Sequence, residues 1–193
     1  MIATEQETRA SQNWGPQALD ELRRSRREFQ DAHATQRDNW IRSNEYFYDS
    51  LKRVLQLIIE PGKRVLHVRC ETGHLLAAVV PEYGIGVEIG QVMVDYAATQ
   101  HPDLHFLKSD PEDLGLNEKF DYIIFDLPSV SDTGTTLAMA SLMDKVLLVV
   151  ESEGSDRDVV KRAYAELVGA EAKVSAVLNK SRSYGPKWLL GLN

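Results

Sequence analysis

The sequence predicts an α/β fold built on a doubly wound, mostly parallel sheet of about six strands, with helices on both faces. Two observations support this prediction. From residue 64 onward, short β-branched runs alternate with helical segments, and the loops between them are short. Several of the runs, such as YIIFDL at 122–127 and KVLLVV at 145–150, are apolar throughout. Continuous apolar runs are typical of strands that are buried on both faces.

Before this alternation the chain contains two predicted helices. Residues 1–44 are polar, and the spacing of Leu19, Leu22 and Phe29 predicts one weakly amphipathic helix there. A second, core-facing helix is predicted by apolar residues that recur every three or four positions and end before Pro61: Phe47, Leu51, Val54, Leu55 and Ile58. We therefore expect a polar helical appendage at 1–44 and a single domain at 45–193.

Beyond Pro61 the elements follow one another without an internal repeat. The predicted strands cover 64–68, 84–89, 104–109, 122–127, 145–150 and 173–178. The predicted helices between them cover 73–80, 91–100, 135–143 and 156–168. Strand and helix alternate strictly from 64 to 109, which is the order that a parallel sheet with crossover helices requires.

Composition excludes several classes of function. The 193 residues include 29 acidic and 22 basic side chains, giving a formal net charge of -7 that disfavours sequence-independent binding to nucleic acid. Cys70 is the one cysteine, so an internal disulfide and a cysteine-rich zinc site are excluded, and no metal is expected. No run approaches the roughly 18 apolar residues of a membrane span, and the N-terminus lacks the order of a signal peptide. We expect a cytoplasmic protein.

Ligands of open parallel sheets bind beyond the carboxyl ends of the strands, so the strand ends are the places to look for a site. Three segments there are informative: RVLHVRCETGHLLAAV, GIGVEIGQVMVDYA and LHFLKSDPEDLGLNEKFDYIIFD. In order and spacing, residues 40–126 resemble class I S-adenosylmethionine-dependent methyltransferases, closest to those found beside bacterial glycan-assembly enzymes. The resemblance implies a Rossmann-like sheet ordered 3-2-1-4-5-6, S-adenosylmethionine as cofactor, and a small molecule or glycan as substrate.

The same resemblance assigns cofactor contacts to the ends of the second and third strands. Glu88, followed by Ile89, matches the acid that binds the ribose hydroxyls, and Asp110 matches the acid that accepts from the adenine amino group. Both acids have a simpler alternative, in which they are solvated side chains at strand ends. Asp126, after the fourth strand, is the candidate catalytic residue, either as a carboxylate near the methyl group or as a Walker B-like metal ligand. Its alternative is an acid that caps the next loop.

The turn after the first strand both keeps and departs from the family pattern. Cys70, Thr72 and Gly73 match the turn that contacts the cofactor. His67, however, replaces the expected acid, and two family glycines are replaced by the side chains of Arg69 and Glu71. These changes indicate either a new anion site or tolerated substitutions in a site that no longer binds the family's ligand. Pro111 also removes a backbone donor after Asp110.

Residues 120–190 show a second resemblance, to the C-terminal half of the P-loop ATPase-like domain of bacterial tyrosine kinases and polysaccharide-export proteins. It depends on the strand that ends in Asp-Leu-Pro and on VLNK followed by a basic, Trp-containing tail. The phosphate-binding string Gly-x-x-x-x-Gly-Lys-Ser/Thr does not occur in the chain. We therefore also consider a natural or engineered hybrid that acts as a non-catalytic scaffold or regulator in exopolysaccharide assembly. A protein partner would then bind the N-terminal helix or the C-terminal tail.

Overall fold

The structure is a computed structural model, and it describes residues 16–110, 114–130, 134–152 and 154–179. The chain divides after Asp126 into two compact units. The first unit carries the strand ends that the sequence singles out as a site, and the second contains the remaining two strands. Pro111 and the basic tail beyond Asn179 lie outside the described residues.

The first unit is a four-stranded parallel sheet with helices. Its elements in chain order are α1 (Pro16–Ser43), α2 (Glu45–Ile58), β1 (Arg64–Val68), α3 (His74–Ala78), β2 (Tyr83–Glu88), α4 (Gln91–Gln100), β3 (His105–Lys108) and β4 (Tyr122–Phe125). The strand order is β3-β2-β1-β4, and all three pairings are parallel. The predicted Rossmann-like α/β fold and the order of the first four strands are therefore confirmed.

The parallel register places the core of this unit on β1 and β2. Leu66 lies opposite Ile85, and Val68 lies opposite Val87. These four side chains are buried together and form one apolar cluster. On β1 the intervening residue His67 is paired with Gly86 of β2, so its side chain leaves the opposite face of the sheet. Because all the strands run the same way, their carboxyl ends share one edge.

The second unit contains α5 (Gly134–Ala140), β5 (Val146–Glu151), α6 (Arg157–Gly169) and β6 (Val174–Asn179). β5 and β6 pair in parallel and form a separate two-stranded sheet. The six predicted strands are all present, but within the described residues they do not form the single sheet that was expected. An apolar run specifies a strand, whereas its partner is selected by backbone pairing between distant segments, which the run does not encode.

Within the polar N-terminal region, residues 16–43 form a helix, as predicted. This helix, α1, contacts α4 and α2 of the first unit. The division into an appendage at 1–44 and one domain at 45–193 stays a prediction. In the part of the chain that the structure describes, no helix has the length and apolar character needed to cross a membrane.

Gly86 provides the first testable prediction. A Cβ atom at this position would lie 2.7 Å from the Cys70 sulfur and 2.7 Å from the Phe106 ring. Gly86→Ala should therefore lower the free energy of unfolding by about 1–3 kcal/mol, measured by urea denaturation. Gly169→Ala is the matched control, because a Cβ there meets nothing within 4 Å. Equal stability of the two variants would contradict this packing.

Candidate functional site

The turn between β1 and α3 determines the shape of the carboxyl edge. Arg69, Glu71 and Gly73 all adopt the left-handed conformation, with φ of 62°, 49° and 78°. The backbone N–H groups of Arg69 and Cys70 donate to the Val87 carbonyl at 2.8 and 3.1 Å, which fastens the turn to β2. The chain thus follows a path suited to glycine even though two of the three residues have side chains.

Glu88 holds the end of β2 to this turn. One carboxylate oxygen accepts from the Ile89 N–H at 2.8 Å, and the other accepts from the Glu71 N–H at 3.1 Å. Burial raises the pKa of Glu88, while the two backbone hydrogen bonds and the charge of Arg69 oppose that rise. A carboxylate offers about four acceptor positions, so two remain for the hydroxyls of a ligand.

The side chain of Glu71 leaves the turn and reaches α1. Its carboxylate accepts two hydrogen bonds from Arg37, from Nε at 2.7 Å and from Nη2 at 2.6 Å. Burial raises the pKa of Glu71, and the Arg37 guanidinium partly offsets this effect. Arg37 also lies 4.5 Å from the centre of the Trp40 ring. Glu71 stands where the resembled family has glycine, and its negative charge is therefore balanced by Arg37 of the N-terminal helix.

Asp110, after β3, is also paired with α1. Its Oδ2 lies 2.8 Å from Nε of Arg23. Between these two ion pairs, Asp31 of α1 accepts a hydrogen bond from the Val92 N–H in the first turn of α4, at 2.9 Å. The predicted adenine-binding acid thus participates in a row of contacts with α1.

Cys70, Thr72 and Gly73 are held by internal packing. Cys70 is buried, and burial raises the pKa of its thiol well above the usual value, which keeps it protonated and a poor nucleophile. The Thr72 hydroxyl lies 3.3 Å from Nδ1 of His74. A Cβ at Gly73 would lie only 2.5 Å from the Phe106 ring, so this position requires glycine for packing as well as for its conformation.

Asp126 follows β4 at the same edge, and its N–H donates to the Val68 carbonyl at 3.3 Å. Its side chain is exposed. Partial desolvation by its neighbours raises the pKa of Asp126, and the charges of Arg69 and Arg37 oppose that rise. The charge of Arg69 in the β1 turn therefore lowers the pKa of both Asp126 and Glu88.

His67 occupies the position of the missing family acid. It is buried, and neither ring nitrogen has a hydrogen-bond partner. Burial, with a smaller contribution from nearby His74, lowers the pKa of His67 to about 3. The imidazole is therefore neutral near pH 7, so it supplies no positive charge to the anion site that the sequence left open.

The structure thus places all seven predicted site residues at one edge: Cys70, Thr72, Gly73, Glu88, Ile89, Asp110 and Asp126. Their assignment to a cofactor or to catalysis stays a prediction. Sequence reasoning missed Arg23, Asp31 and Arg37, which reach this edge from α1. The abundance of arginine in residues 16–43 was the signal available, and it does not indicate which acids the arginines meet. Among the described residues, no three acidic, histidine or cysteine side chains form a group that could hold a metal ion.

The chain matches no family model and no curated protein. Among solved structures, it is similar to a complex of the Haloferax volcanii Trm112 methyltransferase activator with a proposed methyltransferase, at 25% identity and TM-score 0.44, covering 50% of this chain and 46% of that one. It is also similar to a DhpI–SAH complex, at 19% identity and TM-score 0.45, covering 54% and 52%.

A third similar structure is a Geobacter sulfurreducens S-adenosylmethionine-dependent methyltransferase in complex with S-adenosylhomocysteine, at 19% identity and TM-score 0.36. That alignment covers 40% of this chain and 35% of the other. This chain thus spans about half or less of the structures it matches. The resemblance of residues 120–190 to P-loop ATPase-like domains receives no support from these comparisons and stays a prediction.

The buried imidazole gives a pH-dependent prediction. Because the folded state binds a proton on His67 only near pH 3, whereas the unfolded state binds one near 6.5, this residue costs stability as the pH falls through that range. The free energy of unfolding of His67→Leu should therefore rise relative to that of the wild type as the pH falls from 6.5 towards 3. The expected rise is about 1.4 kcal/mol for each pH unit.

Urea denaturation of both proteins at several pH values measures this difference. The control variant His105→Gln removes an exposed imidazole from the same sheet. If both variants change stability with pH in the same way, burial of His67 is not the cause.

Proposed function

We propose that this protein is methyltransferase-like and binds S-adenosylmethionine at the carboxyl edge of its four-stranded sheet. The proposal is carried by Glu88. Its carboxylate is fixed at the end of β2 by the N–H groups of Ile89 and Glu71, beside a left-handed turn. This is the place where the resembled family binds the ribose, and the fixed carboxylate retains acceptor positions for two hydroxyls.

The remaining roles follow from the order of the strands. Asp110 would accept from the adenine amino group after β3, because β3 neighbours β2 on the side away from β1. Thr72, Gly73 and the backbone of Cys70 would lie against the amino acid portion of the cofactor. Asp126 would face the substrate after β4, on the other side of β1. The substrate class we propose is a small molecule or glycan.

Bound S-adenosylmethionine supplies an electrophilic methyl group. The residues at this edge contribute mainly by orienting the donor toward a substrate oxygen or nitrogen. Asp126 is exposed at this edge, so its carboxyl group is accessible to a substrate hydroxyl. Cys70 is buried as a protonated thiol and takes no covalent part in this scheme.

A second candidate function is a non-catalytic scaffold or regulator, as in exopolysaccharide assembly. The specific observation in its favour is that two of the strand-end acids are already paired with arginines of α1, Glu71 with Arg37 and Asp110 with Arg23. A neutral His67 in place of the family acid also supports it. In that case α1 or the C-terminal tail would bind a protein partner.

Ligand binding distinguishes the two functions. The purified protein is titrated with S-adenosylmethionine, S-adenosylhomocysteine, ATP and ADP, with and without Mg²⁺, by calorimetry and by thermal shift. Binding to the native state raises the melting temperature by mass action, so we expect a rise with the two adenosyl sulfur compounds. The absence of any shift with all four ligands would reject the cofactor proposal and favour the scaffold.

The role of Glu88 is tested separately. Glu88→Ala should weaken binding of S-adenosylhomocysteine at least about tenfold, because it removes an acceptor that is charged when the ligand is bound. Glu82→Ala, which removes an exposed acid before the same strand, should leave the affinity unchanged. Since Glu88 also fastens the turn, Glu88→Gln serves as a second variant that keeps an acceptor oxygen there, and it should also weaken binding. Unchanged affinity in both Glu88→Ala and Glu88→Gln would contradict the assigned site.

A further inference from the structure

α1 crosses the carboxyl edge of the sheet in the order of its strands. Arg23 contacts Asp110 after β3, Asp31 contacts the start of α4 after β2, and Arg37 contacts Glu71 after β1. Residues 23 and 37 are separated by about 21 Å along an α-helix, four turns, so both side chains leave similar sides of it. One helix therefore reaches the ends of three adjacent strands.

The approach of α1 to this edge is close. A Cβ atom at Gly90, the residue before α4, would lie 2.5 Å from the Asp31 carboxylate and 3.2 Å from Cβ of Gln30. Glycine at position 90 thus leaves the space into which α1 packs. The Glu71–Arg37 pair is two-pronged and largely withdrawn from water, with side-chain exposures of 18% and 27%. Pairs of this geometry are stronger than single exposed contacts.

We propose that α1 is an autoinhibitory lid: it occupies the carboxyl edge through Arg23 and Arg37, and a ligand binds there after α1 is displaced. This inference rests on the proposed function and adds its regulation. Two observations support displacement. Asp110 is the acid assigned to the ligand, and in this structure it pairs with Arg23 instead. Glu88 has only 2% of its surface exposed and lies two residues before Gly90, against which Gln30 and Asp31 of α1 pack.

If α1 is a lid, loosening it should change the affinity for the ligand. Loosening an ordinary surface helix should leave that affinity unchanged. When only a fraction of molecules is open, the apparent dissociation constant exceeds the intrinsic one by the inverse of that fraction. Removing one ion pair that holds the helix closed increases the open fraction. Arg23→Gln should therefore bind S-adenosylhomocysteine about three- to tenfold more tightly than the wild type.

The control is Arg27→Gln, which removes the same charge from an exposed position on the same helix. Its affinity should equal that of the wild type, which separates the lid from a general effect of net charge. Arg37→Gln is a second variant expected to tighten binding, and urea denaturation checks that it folds, because it leaves Glu71 without its arginine. Affinities are measured by calorimetry at one fixed salt concentration.

Hydrogen exchange measures the helix itself. Amides of residues 16–43 should exchange faster in Arg23→Gln than in Arg27→Gln. In the wild type, S-adenosylhomocysteine should also accelerate their exchange, because coupling between ligand binding and lid opening is reciprocal. A helix that only stabilises the fold would exchange more slowly, or unchanged, when the ligand binds.

The outcomes separate the two proposals. Tighter binding by Arg23→Gln together with ligand-accelerated exchange in α1 supports the lid. Equal or weaker binding by Arg23→Gln overturns the lid and leaves the proposed function standing, since the ligand then binds with α1 in place. No binding of S-adenosylhomocysteine to the wild type or to any of the variants overturns both.

Discussion

The left-handed turn after β1 is the constraint on which the site depends. Its N–H groups donate to the Val87 carbonyl and the Glu88 carboxylate of β2, and Gly73, which immediately precedes α3, donates its N–H to the Cys70 carbonyl. Left-handed conformations cost non-glycine residues about 1 kcal/mol or more each, so Arg69 and Glu71 add strain to the turn. The hydrogen bonds and the Arg37 ion pair hold the turn in this conformation. Residues 69–73 therefore carry the backbone strain and also make the contacts that hold the turn.

The carboxyl edge also concentrates charge in a partly dry environment. Burial raises the pKa of Glu71 and of Glu88, and in each case the charge of a nearby arginine opposes the rise. Buried carboxylates are costly without hydrogen-bond partners, and they are suited to a ligand that has several hydrogen-bond donors. In this chain the partners come from α1 and from the backbone of the turn. Asp110, which we assign to the adenine amino group, also pairs with Arg23 of the N-terminal helix, so our proposal links ligand binding to the position of that helix.

Most of the fold was predictable, because local patterns specify local elements. β1 and α4 occupy the predicted residues, and the order of the first four strands is the one that the family resemblance implied. The candidate site was predictable to the extent that strand ends are adjacent in a parallel sheet, which placed Glu88 and the β1 turn together. Arg37 was not predictable, because the partner of a charged helix residue is decided by how the helix docks. The pairing of β5 with β6 was predicted, but their separation from the four-stranded sheet was missed for the same kind of reason.

The sequence by itself determined which segments are strands and helices, since hydrophobic periodicity and the breakers Pro61 and Gly62 act over a few residues. It also determined the chemistry available at each strand end. Tertiary structure decided which of these groups are satisfied within the molecule. Glu71 became an anchor for α1 and His67 a buried neutral imidazole, because burial and partner choice arise from contacts between residues far apart in the chain.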